Sequence, residues 1–153
     1  MNRKSCILLL IYFILVCGCN NAPDFIINLP PPPDSAWPED IYPAEIEGVK
    51  PVTYTAEYGG TIAVYQDKGT LYVGRKKDEK EATQFFKQTI LPGFEKMAIS
   101  YTGSISGQFY AKSGNKDSIC FGWINNRYIF VLKASDEKAL QKMAAGFRYI
   151  KLK

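Results

Sequence analysis

The same local pattern occurs twice in this chain: two short β-branched and aromatic runs around turn residues, followed at once by a helix start. Residues 60–66 and 70–75 flank Asp67-Lys68-Gly69 and predict a hairpin. Residues 119–124 and 127–133 flank Asn125-Asn126, a pair that tolerates the positive φ of a tight turn. Behind the first hairpin, Asp78-Glu79-Lys80-Glu81 is a capping box ahead of Ala82, Phe85, Phe86 and Ile90, and Pro92-Gly93 predicts the helix end. Behind the second, Ser135 is the predicted cap, with Ala139, Leu140, Met143, Ala144 and Phe147 on the apolar side. A slide of 58 residues superposes the units, placing Ile62 on Cys120, Tyr65 on Trp123, Val73 on Val131 and Asp78-Glu79-Lys80 on Asp136-Glu137-Lys138. It also sets residues 49–54 opposite 107–112 as a further strand in each half. The expected fold is α+β, a two-layer antiparallel sheet of about six strands with two helices. A duplicated β-β-β-α unit is one plan for it, and chance likeness between two hairpin-helix units is the other.

Alternation along the strands then sorts side chains between faces. One face is expected to carry Cys120 with Val131, Gly122 with Ile129, Ile62 with Val73 and Val64 with Leu71, small and aliphatic enough to receive helices. The other gathers Tyr65, Tyr72, Tyr110, Phe121, Trp123, Tyr128 and Phe130. Left uncovered, such an aromatic face is a binding surface. Covered by a helix, or by apolar residues among 25–37, it is core.

The N-terminal third differs in composition. Arg3 and Lys4 precede an apolar run over residues 6–16, which at 11 residues falls short of the ~20 needed to span a bilayer and reads as a secretory signal. Prolines 23, 30–33, 38 and 43 follow, so residues 19–48 are expected to form an extended tether before a globular domain over 49–153. Phe25, Ile26, Ile27, Leu29 and Trp37 are more apolar than a spacer requires.

The end of the signal, Val16-Cys17-Gly18-Cys19, resembles the lipobox of bacterial lipoproteins. That resemblance covers residues 1–19 only. It implies that residues 1–18 are removed, that Cys19 carries the lipid, and that the mature chain faces outside the cytoplasm on a membrane. With two or more acyl chains the anchor is stable, each buried methylene contributing roughly 0.8 kcal/mol. In a bacterium with two membranes, Asn20 after the lipidated cysteine fits outer-membrane sorting.

Arg3 and Lys4 are two of 19 basic residues, so the mature chain keeps 17 against 15 acidic ones, a net of +2. Such a balance gives no electrostatic footprint for nucleic acid. Of four cysteines only Cys120 remains once residues 1–18 are gone and Cys19 is acylated, leaving no internal disulfide. The sequence has no histidine, which excludes Ser-His and Cys-His nucleophiles and histidine metal sites. Cys120 reads as a buried structural thiol, and neither 104–107 nor the turn at 113–117 has the lysine-plus-hydroxyl ending and following helix of a phosphate loop. No cofactor and no metal is expected. The function expected is a non-catalytic binding or adaptor module of the cell envelope, held to the membrane at Cys19 and using the aromatic face or the 113–117 loop. The alternatives are an inhibitor or immunity-type lipoprotein that blocks a hydrolase, and a hydrolase working without histidine.

Overall fold

The structure is a computed structural model and describes residues 25–153 apart from Ala98 and Ser106. The expected signal and Cys19 lie outside the described residues. In chain order the elements are β1 (Phe25–Ile26), α1 (Pro38–Ile41), β2 (Val52–Thr55), β3 (Thr61–Tyr65), β4 (Gly69–Arg75), α2 (Glu79–Phe85), a π-helical turn (Phe86–Ile90), α3 (Leu91–Glu95), β5 (Ile99–Ile105), β6 (Gln108–Gly114), β7 (Ile119–Asn125), β8 (Tyr128–Ala134), α4 (Glu137–Ala145) and β9 (Lys151–Leu152). Seven strands form one antiparallel sheet in the order β2-β3-β4-β8-β7-β6-β5, and β1 pairs with β9 in a separate two-stranded sheet. The fold is the expected α+β with an antiparallel sheet, extended by β5.

Strand β5 precedes the glycine-containing turn expected at 104–107, where Ile105 pairs with Gln108 and Gly107 has φ 83°. Gly103 in it pairs with Tyr110, whose ring lies over the glycine and would be only 2.6–2.8 Å from any Cβ there. The aromatic ring restores the packing that glycine lacks, so a weak strand former holds an edge position. Pro92 does not end the first helix either. A π-helical turn reaches Ile90, and Pro92 sits in the first turn of α3, a position where its missing N–H costs no helical bond.

Turn length decides the faces. Tyr65 pairs with Gly69 across a three-residue loop, Gln66-Asp67-Lys68, with Asp67 at φ 58°, whereas Asn125 pairs with Tyr128 across two residues, with Asn126 at φ 57°. The second turn is thus displaced one residue beyond Asn125-Asn126, so Trp123 faces Phe130 and Cys120 faces Lys133, and no side chain changes face. In the first hairpin the odd loop shifts the register by one, which inverts one strand relative to the other. Leu71 and Val73 therefore join the aromatic face, and Tyr72 moves to the opposite one.

The same single residue separates the halves. The 58-residue slide keeps Ala63 with Phe121 and Tyr65 with Trp123 on one face, but puts Val73 and Val131 on opposite faces. Both helices begin alike: Asp78 and Asp136 hold nearly the same extended backbone and each accepts the N3 amide at 2.8 Å, from Glu81 and Ala139. Asp136, not Ser135, is thus the cap; Ser135 donates its hydroxyl to Asp136. Val73 and Val131 stand five residues before the two caps but on opposite faces, and the helices that follow go to opposite faces too. Helix α2, the π-turn and α3 bring Ala82, Phe86, Ile90 and Phe94 onto the Cys120 face, and α4 brings Leu140, Met143 and Ala144 onto the aromatic face.

The aromatic face has a second cover. Phe25, Ile27, Ile41 and Ile46 are buried in its core, with Phe25 at 4.8 Å from the Phe121 ring. Residues 25–48 are therefore part of the domain and not of the tether expected over 19–48. A proline-rich segment carries many carbonyls and few N–H groups, so it needs donors, and the sheet supplies them. Asn125 Nδ2 donates to Leu29 O (2.9 Å), and the Tyr128 hydroxyl to Pro33 O and Ala36 O (2.9 and 3.1 Å). Arg75 donates to Ala36 O (2.9 Å) beneath the Trp37 ring, and Tyr65 to Pro43 O (2.7 Å).

Phe25→Ala is expected to lower the unfolding free energy by about 3–5 kcal/mol in urea titrations, where a tether residue would leave it unchanged. The Ala139 amide holds the Asp136 carboxyl below the usual carboxylate range. Its stabilisation is complete above the unfolded-state pKa of about 4 and is lost as pH falls through the lower folded value. Asp136→Asn, which still caps, is expected to make the acid side of a melting-temperature profile shallower.

Candidate docking surface

Six of the seven aromatic residues singled out from sequence do share one face, but that face is interior. Tyr65, Phe121, Trp123, Tyr128 and Phe130 are fully buried and Tyr110 is 9% exposed. Beyond α4, Phe147 sets its ring edge-on to Trp123 and Phe130, Tyr149 stacks on Phe130, and residues 25–46 close the rest. Burial pushes the Tyr65 hydroxyl up to about 12. The Trp123 indole N–H finds no partner among the described residues, so this residue serves by packing. Tyr72 lies on the other face with its ring over Gly74 and its hydroxyl donating to Gly59 O (3.0 Å), and burial pushes that hydroxyl up as well. None of the seven is available to a partner, which corrects the binding face expected from sequence.

The open surface is on the reverse. Side-chain rows cross the Cys120 face from edge to edge, one running Val52, Val64, Thr70, Lys133, Cys120 and another Tyr54, Ile62, Tyr72, Val131, Gly122. At Gly122 a Cβ would stand 3.1 Å from Phe86 and Phe94, so the helical layer presses directly on the backbone there. Helix α2 packs on β7 and β8, and α3 on β5 and β6. The β2-β3 end of the same face is left bare: Val52 is 58% and Tyr54 57% exposed, and Ile62 and Val64 are half-buried beside them. Tyr58 bounds the patch, 46% exposed, between the rings of Tyr72 (5.5 Å) and Phe85 (6.1 Å).

Strand β2 is also the edge of the sheet, and among the described residues no strand pairs its outer side. All four residues, Val52-Thr53-Tyr54-Thr55, are exposed. Edge strands are usually blunted by lysine, by an inward charge or by a cover. This one carries β-formers and no charge, with Pro51 just before it. It offers unpaired backbone groups beside an apolar half-face, the features that an added strand uses. Alternation alone could not reveal this, because Val52 and Tyr54 read as ordinary inward residues until the extent of the helical layer was known.

The 113–117 loop is the hairpin turn between β6 and β7, closed by Asn115 Oδ1 accepting the Asp117 and Ser118 amides at 2.9 Å. Beside it a cleft of about 390 Å³ runs to the start of α4, but Lys112 across its mouth is paired with Glu137 at 2.9 Å. Glu47 likewise takes both Lys68 (3.0 Å) and Lys142 (2.6 Å), and Lys142 then Lys68 hold its carboxyl below the usual range. These charges satisfy one another. Among the described residues no three thiol or carboxylate groups converge as metal ligands. Cys120 is buried, and desolvation pushes its thiol up although Lys133, opposite it across the strand pair, pulls the other way.

Cys120 is expected to be alkylated roughly a hundredfold more slowly in the native protein than in urea, followed by mass spectrometry under matched thiolate concentration. Equal rates would mean a reactive thiol.

No protein-family model matches the chain, and no curated protein matches it. Among solved structures it is similar to the crystal structure of a GTP-binding regulator from Thermotoga maritima. That likeness has a TM-score of 0.59 at 15% sequence identity, over 80% of this chain and 94% of the other. At that identity the two share a fold.

Proposed function

We propose that this chain is a lipid-anchored, non-catalytic binding module of the cell envelope, which captures a partner polypeptide by strand addition at β2. The uncharged, fully exposed strand Val52–Thr55 beside the bare half-face carries the reading. A partner strand would take its main-chain hydrogen bonds from the β2 edge and lay alternate side chains against Val52, Tyr54 and Tyr58. The envelope address rests on the basic start, the short apolar run and Val16-Cys17-Gly18-Cys19. Lack of catalysis is supported by the absence of histidine from the sequence and by the buried, raised thiol of Cys120. A regulator with the same fold is in keeping with a role exercised through binding.

Photo-crosslinking from position 54 in intact cells tests this directly. The expected product is one covalent adduct with an envelope polypeptide, reduced about tenfold when Val52→Lys and Thr55→Lys are introduced together, with the melting temperature unchanged. Adduct formation indifferent to both lysines would refute strand addition at β2.

A further inference from the structure

We propose that the corner formed by β1 and β9 is the membrane-apposed surface of the anchored protein, and that it binds anionic phospholipid headgroups. This rests on acylation of Cys19, and it names a second partner on the opposite side of the sheet from β2. Only five residues, Asn20-Asn21-Ala22-Pro23-Asp24, separate Cys19 from Phe25. Six peptide units reach at most about 22 Å when fully extended. A compact domain of this size is about 36 Å across. The leash is therefore shorter than the body it holds, and the domain cannot turn its far side to the bilayer. Phe25 itself is locked, buried against Phe121 and paired with Leu152.

The chemistry of that corner suits a bilayer surface. Strand β9 places Lys151 opposite Ile26 and Leu152 opposite Phe25, with Lys153 next in the chain and Arg148 shortly before. Arg148, Lys151 and Lys153 are exposed, and among the described residues none of them is in an ion pair. Arg148 rests its guanidinium on the Tyr149 ring, 5.0 Å from the centroid. Alternation puts Leu152, 40% exposed, on the side of Phe25, and Lys151 on the other side beside half-buried Ile26. Exposed cations at this corner match an anionic headgroup layer, their stems lying along the apolar zone while the charges stay at phosphate level. Asp24 is the single opposing charge in the leash.

The test uses the full acylated chain in vesicles of phosphatidylethanolamine and phosphatidylglycerol carrying a lipid-borne quencher. In a Cys120→Ser background, a fluorophore is placed by Leu152→Cys or, separately, Lys153→Cys, with Val52→Cys as the reference. Quenching at 152 and 153 several times that at 52 is the expected result. It should fall about twofold or more, while staying above the reference because the leash still holds this side near the bilayer, when Arg148 and Lys151 are replaced by Glu, and in vesicles of phosphatidylcholine alone. Vesicle flotation and the mass of the N-terminal peptide report the anchor independently. An unacylated Cys19 overturns the envelope address and this inference together. An acylated, floating chain whose labels at 152 and 153 are quenched no more than at 52 overturns this inference alone, and equal quenching over phosphatidylcholine overturns the headgroup recognition.

Discussion

The domain depends on how a proline-rich segment is kept in place against an aromatic sheet face. Prolines leave carbonyls without the amide donors that would pair them in a helix or sheet, and burying an unpaired carbonyl is unfavourable by about 1–3 kcal/mol. Here the donors are the hydroxyls of the core residues Tyr65 and Tyr128, the amide of buried Asn125 and the guanidinium of half-buried Arg75. Each of these residues packs its apolar part on the sheet and extends a polar tip to the segment. The aromatic face is thereby closed by chain that has almost no secondary structure of its own, and α4 need cover only the remainder. Tyr42, bonded to Thr61 and driven upward in pKa by burial, continues the same arrangement to the end of α1.

Much of the fold was legible because its signals are local. Both hairpins, the capping box at Asp78 and the second helix follow from residue type and spacing within a dozen positions. What could not be read is a matter of one residue at a time. Whether the turn after Tyr65 holds two residues or three is not decided by Asp67-Lys68-Gly69, since glycine permits either, yet the parity of that loop moves Leu71, Tyr72 and Val73 between faces. It also sends two similarly capped helices to opposite sides of the sheet. The turn read at 104–107 is there, between Ile105 and Gln108 with Gly107 at φ 83°, but strand β5 before it was missed because Gly103 weakens the strand pattern until Tyr110 is seen to fill the space over it.

The candidate site was less legible than the fold for a related reason. Aromatic side chains at strand spacing identify a face without saying what lies on it, and the covering segment was itself disguised by its prolines as a spacer. Phe25, Ile27 and Leu29 were the available signal, apolar residues with no role in a solvated tether. The exposed patch at β2 has no signature of composition at all. It arises from where the helical layer stops, which Gly122 fixes by letting Phe86 and Phe94 sit over β7 instead of nearer β3.

The pairing of β1 with β9 joins Phe25 to Leu152, so the first described residues are completed by nearly the last. A ribosome or an export channel delivers a polypeptide from its N-terminus. Until residue 152 has emerged, Phe25 and Ile27 have no β9 beside them, and the aromatic face stays partly open to solvent. The hairpins and their helices can form as they appear, but closure of this core has to wait for β9. Such long-range closure is slow relative to local structure. During that interval, apolar side chains destined for the interior stay exposed, so the closing of this core is timed by the arrival of β9.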